Sequence, residues 1–490
     1  MKFLNWKKKI KPLKSIHMKK HIFSLLIMLC VQSAFSQVTD SYSIVVEKIK
    51  VTYNAKDYHS FYNLLGPNFK SQQTEDNIKS FLKDNVYSFY GSMKSISYIK
   101  DLNEFKHYKV ECENGNLEML LSCNNINEIE GFTFLPYEEI NISDKKHFLS
   151  DNKKQNTLDL KVDSIVSEFM SNPINAGLSI AVIQNGQVYY YHYGETNKES
   201  KQLPQNSTIY EIGSVSKTFT GILLVQAVAN KKITMEDDIR KYLPIQCAKL
   251  EYKGEAIRVK HLVTHTSRIP RIPENLDKQT HFDELNPYKN YDKKMVYDYL
   301  STLKLDTFPG IKLDYSNTGM ALLGIILENV YQQSYEELLN QYITTVIGMK
   351  KTFVNVPAAH LTNFATGYNE KGKETPHWDL GDQVGAGGIK STIEDMALYL
   401  KENINESSAV IQNSHQIQFE KLKDKIAFSW FIQPTKTGNT LIWHNGGTYG
   451  FTSFCGFVKE KKCGVVILSN SGNGVDKLAI DILKYLQITN

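Results

Sequence analysis

Segments with a strand-forming pattern occur at both ends of the last two thirds of the chain, and they enclose a mostly helical middle. Near the front, Leu178–Gln184 and Val188–Tyr193 flank Asn185-Gly186, a dipeptide typical of tight hairpin turns. Later strands are predicted at Ile426–Ile432, Leu441–His444, Thr452–Val458 and Val465–Leu468. Helices are predicted at Leu160–Met170, over most of residues 237–400 and at Val475–Leu486. This order predicts an α+β domain over residues 156–490, with one antiparallel sheet built from both ends and a helical subdomain beside it.

Residues 38–140 form a second predicted unit, a small α+β domain. Helices are predicted at Tyr42–Tyr53, at Asp57–Leu65 and after Thr74, which can serve as an N-cap. Strand patterns follow at Met93–Tyr98, Phe105–Cys112, Leu117–Cys123 and Gly131–Leu135. With helices before a curved antiparallel sheet, this unit resembles the cone-shaped nuclear-transport-factor-like fold. No set of polar residues in it predicts catalysis, so a spacer or binding module is the better interpretation. Residues 141–155 are polar and charged and are predicted to be a linker.

The first 36 residues have the pattern of a secretory signal peptide. They carry eight lysines and no acidic residue, then an apolar run from Ile22 to Val31 and the ending Ser33-Ala34-Phe35-Ser36. The apolar run is shorter than the roughly 20 residues that a membrane helix needs, which favours cleavage over an uncleaved anchor. The protein is therefore predicted to be exported, to the periplasm or to the outside of the cell, without a stable membrane span after cleavage.

Charge and cysteine content exclude some classes of function. The whole chain has a formal net charge of +5, but without the eight lysines of residues 1–36 the remainder carries −3. A mildly acidic protein whose basic residues are nearly all lysine gives no electrostatic basis for binding nucleic acid. Cysteines after residue 36 are odd in number and lack metal-site spacing, so we expect buried free thiols. No metal or other cofactor is predicted.

The stretch Glu211–Lys217, which reads Glu-Ile-Gly-Ser-Val-Ser-Lys, is the strongest candidate for chemistry. Ser214 and Lys217 are three residues apart, so a helix would put both side chains on one face. A serine at a helix N-terminus has a free backbone N–H for an oxyanion, and a buried lysine one turn later can lose its proton. The same Ser-x-x-Lys spacing occurs without a Gly-Ser turn or an apolar helix at Ser80/Lys83, Ser97/Lys100, Ser143/Lys146 and Ser150/Lys153.

Three later stretches hold further candidates. Tyr315-Ser316-Asn317 follows a Pro-Gly turn and is predicted on a loop before a helix over Met320–Val330. A tyrosine can move protons when cations lower its pKa, and an asparagine can bind an amine and a substrate amide together. His444 ends a predicted strand and precedes Asn445-Gly446-Gly447, where glycines let an acyl group approach backbone N–H groups. The glycines of residues 385–388 suggest a tight backbone approach near the cleft. A core tyrosine and a structural histidine are the alternatives for Tyr315 and His444.

Ser-x-x-Lys, then Tyr-x-Asn, then a glycine-rich strand end, in this order, resembles the penicillin-recognising serine hydrolases. Tyr315 at the head of the second motif is similar to the class C β-lactamases and to the related DD-peptidases and esterases. The stretch Leu262–Ser267 also looks like that group. The resemblance covers about residues 156–488, and it implies a β-lactamase-like domain.

The resemblance also implies roles for individual residues. Ser214 would be the acylated nucleophile, and Lys217 and Tyr315 would be its general bases. Asn317 would bridge Lys217 and the acyl side chain of the substrate. The backbone N–H groups of Ser214 and Gly447 would form the oxyanion hole. Together with Asn317, the residues of the third motif would bind the substrate, namely His444, Gly446 and Gly447. No metal or cofactor is needed for this chemistry.

The chain departs from the family pattern at two positions. His444 stands where β-lactamases have a lysine, and a histidine with an ordinary pKa of about 6.5 is mostly uncharged at neutral pH. Because His444 carries little positive charge, substrates that bear a carboxylate should gain less from it than from a lysine. The second departure is Arg268, which stands where the loop usually continues with glycine. We interpret the chain as an exported serine hydrolase that acts on an ester or amide in a small molecule or peptide. A true β-lactamase or DD-carboxypeptidase, and a non-catalytic penicillin-sensor or binding protein, are the alternatives.

Overall fold

The structure is a computed structural model that describes residues 41–102, 105–137 and 148–489. The chain divides into two compact units, the first ending at residue 141 and the second beginning at residue 142. The predicted signal peptide and residues 141–147 of the predicted linker lie outside the described residues. Within the described ranges, none of the helices has the length and apolar character needed to cross a membrane.

The first unit has helices followed by an antiparallel sheet, as the sequence predicts. Its helices are α1 (Ser41–Asn54), α2 (Tyr58–Asn63), α3 (Pro67–Lys70), α4 (Glu75–Ser80), a π-helical turn (Phe81–Tyr87) and α5 (Ser88–Tyr90). Its strands are β1 (Met93–Leu102), β2 (Phe105–Cys112), β3 (Gly115–Cys123) and β4 (Ile129–Pro136), paired in that order. The Thr74 side chain accepts a hydrogen bond from the backbone of Asn77 and caps α4, as predicted.

An aromatic cluster holds the helices of the first unit to its sheet. The ring of Phe132 in β4 lies 5.3 Å from Phe61, 5.6 Å from Phe69 and 6.1 Å from Phe81, measured between centroids. Such ring pairs add to the free energy gained by removing their apolar surface from water. The unit therefore has a core of its own.

In the described part of the second unit, one α-helix comes before all the strands and one follows them, and most of the other helices lie in the middle. They are α6 (Thr157–Met170), α7 (Ser216–Ala229), α8 (Val259–Val263), α9 (Lys293–Thr302), α10 (Asn317–Tyr331), α11 (Tyr335–Leu339), α12 (Thr345–Ile347), α13 (Val384–Gly387), α14 (Ile393–Asn405), α15 (Ala409–Ser414) and α16 (Asp476–Thr489). A π-helical turn covers Asn340–Thr344. Turns of 3₁₀-helix cover Gly213–Val215, Ile239–Tyr242, Ile245–Cys247, Leu276–Lys278, Ala358–Asn363 and Gly381–Gln383.

Strands from both ends of the second unit form one antiparallel sheet. The strands of the second unit are β5 (Gly177–Gln184), β6 (Gln187–Gly194), β7 (Ile209–Glu211), β8 (Glu251–Tyr252), β9 (Glu255–Ala256), β10 (Gly367–Tyr368), β11 (Glu374–Thr375), β12 (Lys390–Thr392), β13 (Phe419–Lys421), β14 (Asp424–Ile426), β15 (Phe431–Pro434), β16 (Thr440–Gly447), β17 (Thr452–Val458) and β18 (Cys463–Ser469). The main sheet has eight strands in the order β13-β14-β15-β16-β17-β18-β5-β6. The early hairpin thus joins the late strands directly, which confirms the predicted sheet.

Both faces of the main sheet are covered. Along β18, Val465 and Ile467 face the core that contains α6 and α16, whereas Val466 and Leu468 face the core of the helical subdomain. Because successive strand residues point to opposite faces, a strand buried on both sides is apolar throughout. Phe148, just after the gap in the described residues, packs on the α6 side, and Asn152 donates a hydrogen bond of 2.7 Å to the Tyr193 hydroxyl.

One predicted strand is wrong. Ile426–Ile432 is not continuous, because β14 ends at Ile426 and β15 begins at Phe431. Between them the chain turns, with Ser429 at a φ of 65°, and the fully buried Trp430 lies 6.2 Å from the ring of Tyr399. The free energy gained by burying that indole in the helical subdomain exceeds the free energy that an uninterrupted strand would contribute. The predicted state of the cysteines is confirmed at Cys112, Cys123, Cys247 and Cys455, which are buried free thiols, and Cys463 is also buried.

We expect Ile467→Ala to lower the free energy of unfolding by about 2–5 kcal/mol, because it removes three buried carbons and leaves a cavity under α16. Ile467 is fully buried, and its strand pairs with both β17 and β5. Urea unfolding of the full chain measures the difference. Ile245→Ala is the matched control: Ile245 is 90% exposed, so this variant should change the free energy by less than about 0.5 kcal/mol. Similar losses in the two variants would contradict the described core.

Candidate active site

A tight turn presents Ser214 at the end of a short strand pair. β7 pairs with β12, and Ile212 continues the contact by donating its backbone N–H to the carbonyl of Ile389. Gly213 then has a φ of 49°, in the left-handed region that glycine adopts without strain. Ser214 lies in the 3₁₀ turn that leads into α7 at Ser216. The predicted helix at this stretch is confirmed, with one short 3₁₀ turn before it.

Lys217 is fully buried, and its amine contacts the Ser214 hydroxyl. Lys217 Nζ donates hydrogen bonds to Ser214 Oγ at 2.9 Å and to the Ala386 carbonyl at 2.5 Å. Burial lowers the pKa of this amine well below its usual value, and the nearby charge of Arg271 lowers it further. The neutral form of the amine is therefore favoured, and a neutral amine has a lone pair that can accept the Ser214 proton.

The ring of Tyr315 lies among several site groups. Its centroid is 4.3 Å from that of His265, 4.9 Å from Lys217 Nζ and 5.1 Å from Arg271 Cζ. Burial raises the pKa of Tyr315 to about 12, although the Ser214 hydroxyl and the Arg271 charge act in the opposite direction. Tyr315 is thus protonated at neutral pH, which suits a proton donor better than a base.

Asn317 is the first residue of α10, so its predicted loop position is wrong. The cause is Ser316, whose side chain accepts from the backbone of Gly319 and caps the helix three residues earlier than expected. The side chain of Asn317 lowers the pKa of Tyr288 by hydrogen bonding, although burial raises that pKa overall. Lys217 has the carbonyl of Ala386 as its second partner, and no hydrogen bond joins it to Asn317 in the described structure.

His444 is completely buried and uncharged. Its Nδ1 lies 2.5 Å from the carbonyl oxygen of Asn445, which can only accept, so Nδ1 carries the hydrogen. Nε2 is buried without a hydrogen-bond partner among the described residues. Burial lowers the pKa of His444 to about 3, with a further contribution from Lys217. The expected pKa of about 6.5 for His444 is therefore wrong. Because the pKa is lower, the side chain lacks a positive charge at neutral pH more completely than expected.

Glycines 446 and 447 lie against the turn that carries Ser214. A Cβ on Gly446 would collide with the carbonyl oxygen of Ile212 and lie 2.9 Å from the backbone nitrogen of Ser214. A Cβ on Gly213 would lie 2.6 Å from the backbone nitrogen of Gly447. Only glycine permits this approach, which brings the backbone nitrogens of Ser214 and Gly447 to one end of a cleft. The cleft is lined by Gly213, Ser214, Tyr288, Asn317, Trp378, Leu380, Gln383, Ala386, Gly387, Gly447 and Thr448.

Two residues in the loop after α8, His265 and the departure Arg268, have structural roles. His265 and Arg268 have φ angles of 57° and 66°, in the left-handed region where glycine is the common residue. The Arg268 guanidinium is held by Asp306 at 2.7 Å and Asp314 at 3.1 Å. His265 accepts the backbone N–H of Ser316 on Nδ1 at 3.2 Å. These contacts fix the loop conformation beneath Tyr315, which agrees with the structural interpretation of His265.

Sequence reasoning missed several residues at the site, because distant segments bring them there. Trp378 and Tyr288 line the cleft with ring centroids 5.7 Å apart. The glycines around Ala386 were the one available signal, and they indicate the close backbone approach that lets this carbonyl reach Lys217. In the described ranges, no group of three or more His, Cys, Asp or Glu side chains could hold a metal ion.

Glu211, just before the Ser214 turn, is a buried acid that supports one wall of the cleft. Its Oε1 accepts the backbone N–H of Trp378 at 2.6 Å. Burial raises the pKa of Glu211 to about 7, and the nearby charge of Lys390 opposes the rise. Lys390 is itself buried, and its amine donates to the carbonyl of Val354 at 3.0 Å. Deprotonation of Glu211 near neutral pH therefore places a negative charge next to the backbone of Trp378, which lines the cleft.

Residues 162–488 match the family model described as Beta-lactamase. A β-lactamase of Pseudomonas fluorescens is 31% identical over 351 residues, which are 63% of this chain and 92% of that protein. Among solved structures, a β-lactamase/D-alanine carboxypeptidase from Pseudomonas syringae is 25% identical, with a TM-score of 0.58, over 67% of this chain and 99% of its own. An octameric penicillin-binding protein homologue from Pyrococcus abyssi is 28% identical, with a TM-score of 0.60, over 67% and 77%. These similarities confirm the predicted resemblance and fold class.

We expect the stability of the protein to fall relative to Glu211→Gln as the pH rises from about 4.5 to about 7. A carboxyl group with a raised pKa stabilises the folded state fully below its unfolded pKa, and this contribution is lost as the pH rises through the folded value. The difference should reach at most about 3 kcal/mol. Urea unfolding at several pH values measures it. Glu255→Gln, at an exposed site, is the control and should show the wild-type pH dependence. Parallel curves for wild type and Glu211→Gln would contradict the buried acid.

Proposed function

The chain belongs to the β-lactamase family of serine hydrolases, and we propose that it hydrolyses an ester or amide through an acyl-enzyme formed on Ser214. The observation that carries this proposal is the hydrogen bond of 2.9 Å between Lys217 Nζ and Ser214 Oγ. It joins a hydroxyl to an amine whose pKa burial lowers, which favours the uncharged form that can accept a proton. The substrate is a small molecule or a peptide.

Lys217 is the general base for acylation in this proposal. The Ser214 proton moves to Lys217 Nζ while Oγ bonds to the carbonyl carbon of the substrate. The oxygen of the tetrahedral intermediate accepts the backbone N–H groups of Ser214 and Gly447, whose close approach depends on Gly213 and Gly446. Such preorganised donors stabilise the negative charge as it develops.

Tyr315 is the proton donor to the leaving group. It is protonated at neutral pH, and its ring lies 4.9 Å from Lys217 Nζ. It gives its proton to the departing oxygen or nitrogen as that bond breaks, and Lys217 replaces the proton. Water then attacks the acyl-enzyme and gives a proton to the same pair, which returns a proton to Ser214 Oγ as the acyl–oxygen bond breaks and the acid product leaves. Asn317 and the strand end at Gly446 and Gly447 bind the substrate beside the scissile bond.

Hydrolysis of β-lactams is the second candidate, and the names of several relatives favour it. The observation against it is His444, which is buried and uncharged where a β-lactamase would have a lysine. A β-lactam carries a carboxylate that gains little from such a residue. We therefore rank an esterase or peptidase activity first.

We also propose that the protein is exported and that residues 38–140 form a spacer or binding module. The signal-peptide pattern of residues 1–36 supports export. The described part of the first unit has its own apolar core and lies outside residues 162–488, which match the family. The module could bind a partner while the second unit carries the chemistry.

Ser214→Ala should abolish turnover of p-nitrophenyl acetate, with a loss of at least about 10³-fold in kcat/KM, because no other group can form the acyl-enzyme. Side-by-side assays with p-nitrophenyl acetate and a chromogenic cephalosporin measure this. Ser80→Ala is the matched control, since Ser80 and Lys83 have the same spacing but lie in the first unit. Strong Ser214-dependent cephalosporin turnover would favour the second candidate. Equal rates for wild type and Ser214→Ala on both compounds would contradict the proposal and favour a binding protein.

Gly446→Ala should slow acylation of Ser214 by about 10-fold or more, because the added methyl group pushes the strand end away from the Ser214 turn. The rate of adduct formation with a serine-directed acylating reagent, followed by intact-mass spectrometry, measures the effect. Gly474→Ala is the control, because nothing lies within 4 Å of the added carbon. Wild-type rates in a folded Gly446→Ala protein would show that this close approach does not matter for acylation.

A further inference from the structure

Arg271 is an exposed cation beside the candidate catalytic tyrosine. Its guanidinium carbon lies 5.1 Å from the centroid of the Tyr315 ring. No carboxylate among the described residues lies within ion-pair distance of it. Its neighbour Arg268, by contrast, is held by Asp306 and Asp314. An arginine without a carboxylate partner keeps its bidentate donors available for a ligand.

The backbone of Arg271 is fixed at the start of α10. Its carbonyl accepts the backbone N–H groups of Asn317 at 3.1 Å and Thr318 at 3.3 Å, and also the Thr318 hydroxyl at 3.3 Å. Because this carbonyl is hydrogen-bonded to Asn317, which lines the cleft, the backbone of Arg271 is held next to the site. The contact with Tyr315 then orients the guanidinium without consuming its hydrogen-bond donors.

Other basic groups near the cleft cannot offer a charge to a substrate. Lys217 is fully buried and bonded to Ser214 and Ala386. Lys390 is buried and donates to Val354. His444 is buried and uncharged at neutral pH. The charge of Arg271 nevertheless reaches the reacting groups, since it acts on both Lys217 and Tyr315.

We propose that Arg271 is a specificity-determining residue that binds a carboxylate of the substrate beside Tyr315. This inference rests on the proposed function and names the class of substrate: short esters or amides that carry one negative charge close to the scissile bond. The short distance from Arg271 to Tyr315 requires that the carboxylate be only a few bonds from the carbonyl that Ser214 attacks. The substrate carboxylate is then bound by Arg271, in the segment between α8 and α9, and not by the third motif at His444.

The test compares matched pairs of neutral and anionic esters. For a carboxylate on the acyl group, the pair is p-nitrophenyl pentanoate and mono-p-nitrophenyl glutarate, which have acyl chains of equal length. For a carboxylate on the leaving group, the pair is p-nitrophenyl acetate and the acetate of 5-hydroxy-2-nitrobenzoic acid. The measured quantity is the ratio of kcat/KM, anionic over neutral, after subtracting the rate with Ser214→Ala. An effect of a variant on Tyr315 changes kcat/KM for both esters of a pair by the same factor, so it cancels in the ratio.

Arg271→Gln should lower this ratio by about 10- to 100-fold for at least one pair, mainly through KM, as loss of a charged hydrogen bond predicts. Arg271→Lys should restore part of it, and Arg271→Glu should lower it further. Added salt should weaken the preference of the wild type. Arg258→Gln is the control, because Arg258 lies beside Glu236 and away from the cleft, and it should leave both ratios unchanged.

Two results would overturn the inference, and they are distinguishable. Unchanged ratios in Arg271→Gln and Arg271→Glu, with Ser214-dependent turnover of the neutral esters retained, would remove the carboxylate site and leave the proposed function in place. Absence of Ser214-dependent turnover for all four esters and for the chromogenic cephalosporin would remove the proposed function, and the inference with it.

Discussion

The second unit is built so that one amine, Lys217 Nζ, is kept out of water. A protonated amine there would exchange its hydration for two oxygen atoms and the face of the Tyr315 ring, and this cost favours the neutral form. The environment that imposes the cost is the helical subdomain. Helix α7 is buried along most of its length, and α10 and α13 pack against it. The apolar packing of three helices therefore determines the proton affinity of a single side chain.

The same site depends on close contact between two backbone segments, the Ser214 turn and the end of β16, and each segment has a glycine where they meet. Gly213 and Gly446 come from opposite ends of the second unit, and each would place a Cβ against the other's segment. The Ser453 hydroxyl secures the contact by donating to the Ile212 carbonyl at 2.8 Å. The sheet brings β16 and β17 to this point, so the geometry of the candidate oxyanion hole is a direct product of strand register. A small shift in the pairing of β16 with β17 would move the backbone nitrogen of Gly447 away from that of Ser214.

Much of the fold was predictable because its signals are local. The Asn185-Gly186 turn and its apolar flanks predicted the early hairpin, and the order of short motifs indicated the family. The errors concern features that depend on distant partners. The turn that buries Trp430 interrupts a strand pattern that looks continuous, and the uncharged state of His444 follows from burial that no window of sequence reveals. Arg271 and Glu211 acquire their importance from Tyr315 and Trp378, which are brought to them only by the tertiary fold.

The pairing of β5 with β18 has a consequence for how the protein is made. Ile180 lies opposite Ile467, so the early hairpin waits for nearly the whole chain before its neighbour exists. Contacts of such long sequence separation form late and slow folding, and until then the edge of the hairpin has no partner. The turn that holds Ser214 is likewise synthesised long before the glycines that complete its surroundings. A chain that the ribosome releases early therefore holds Ser214 without Gly446 and Gly447, so the candidate site is completed only after the late strands have been made.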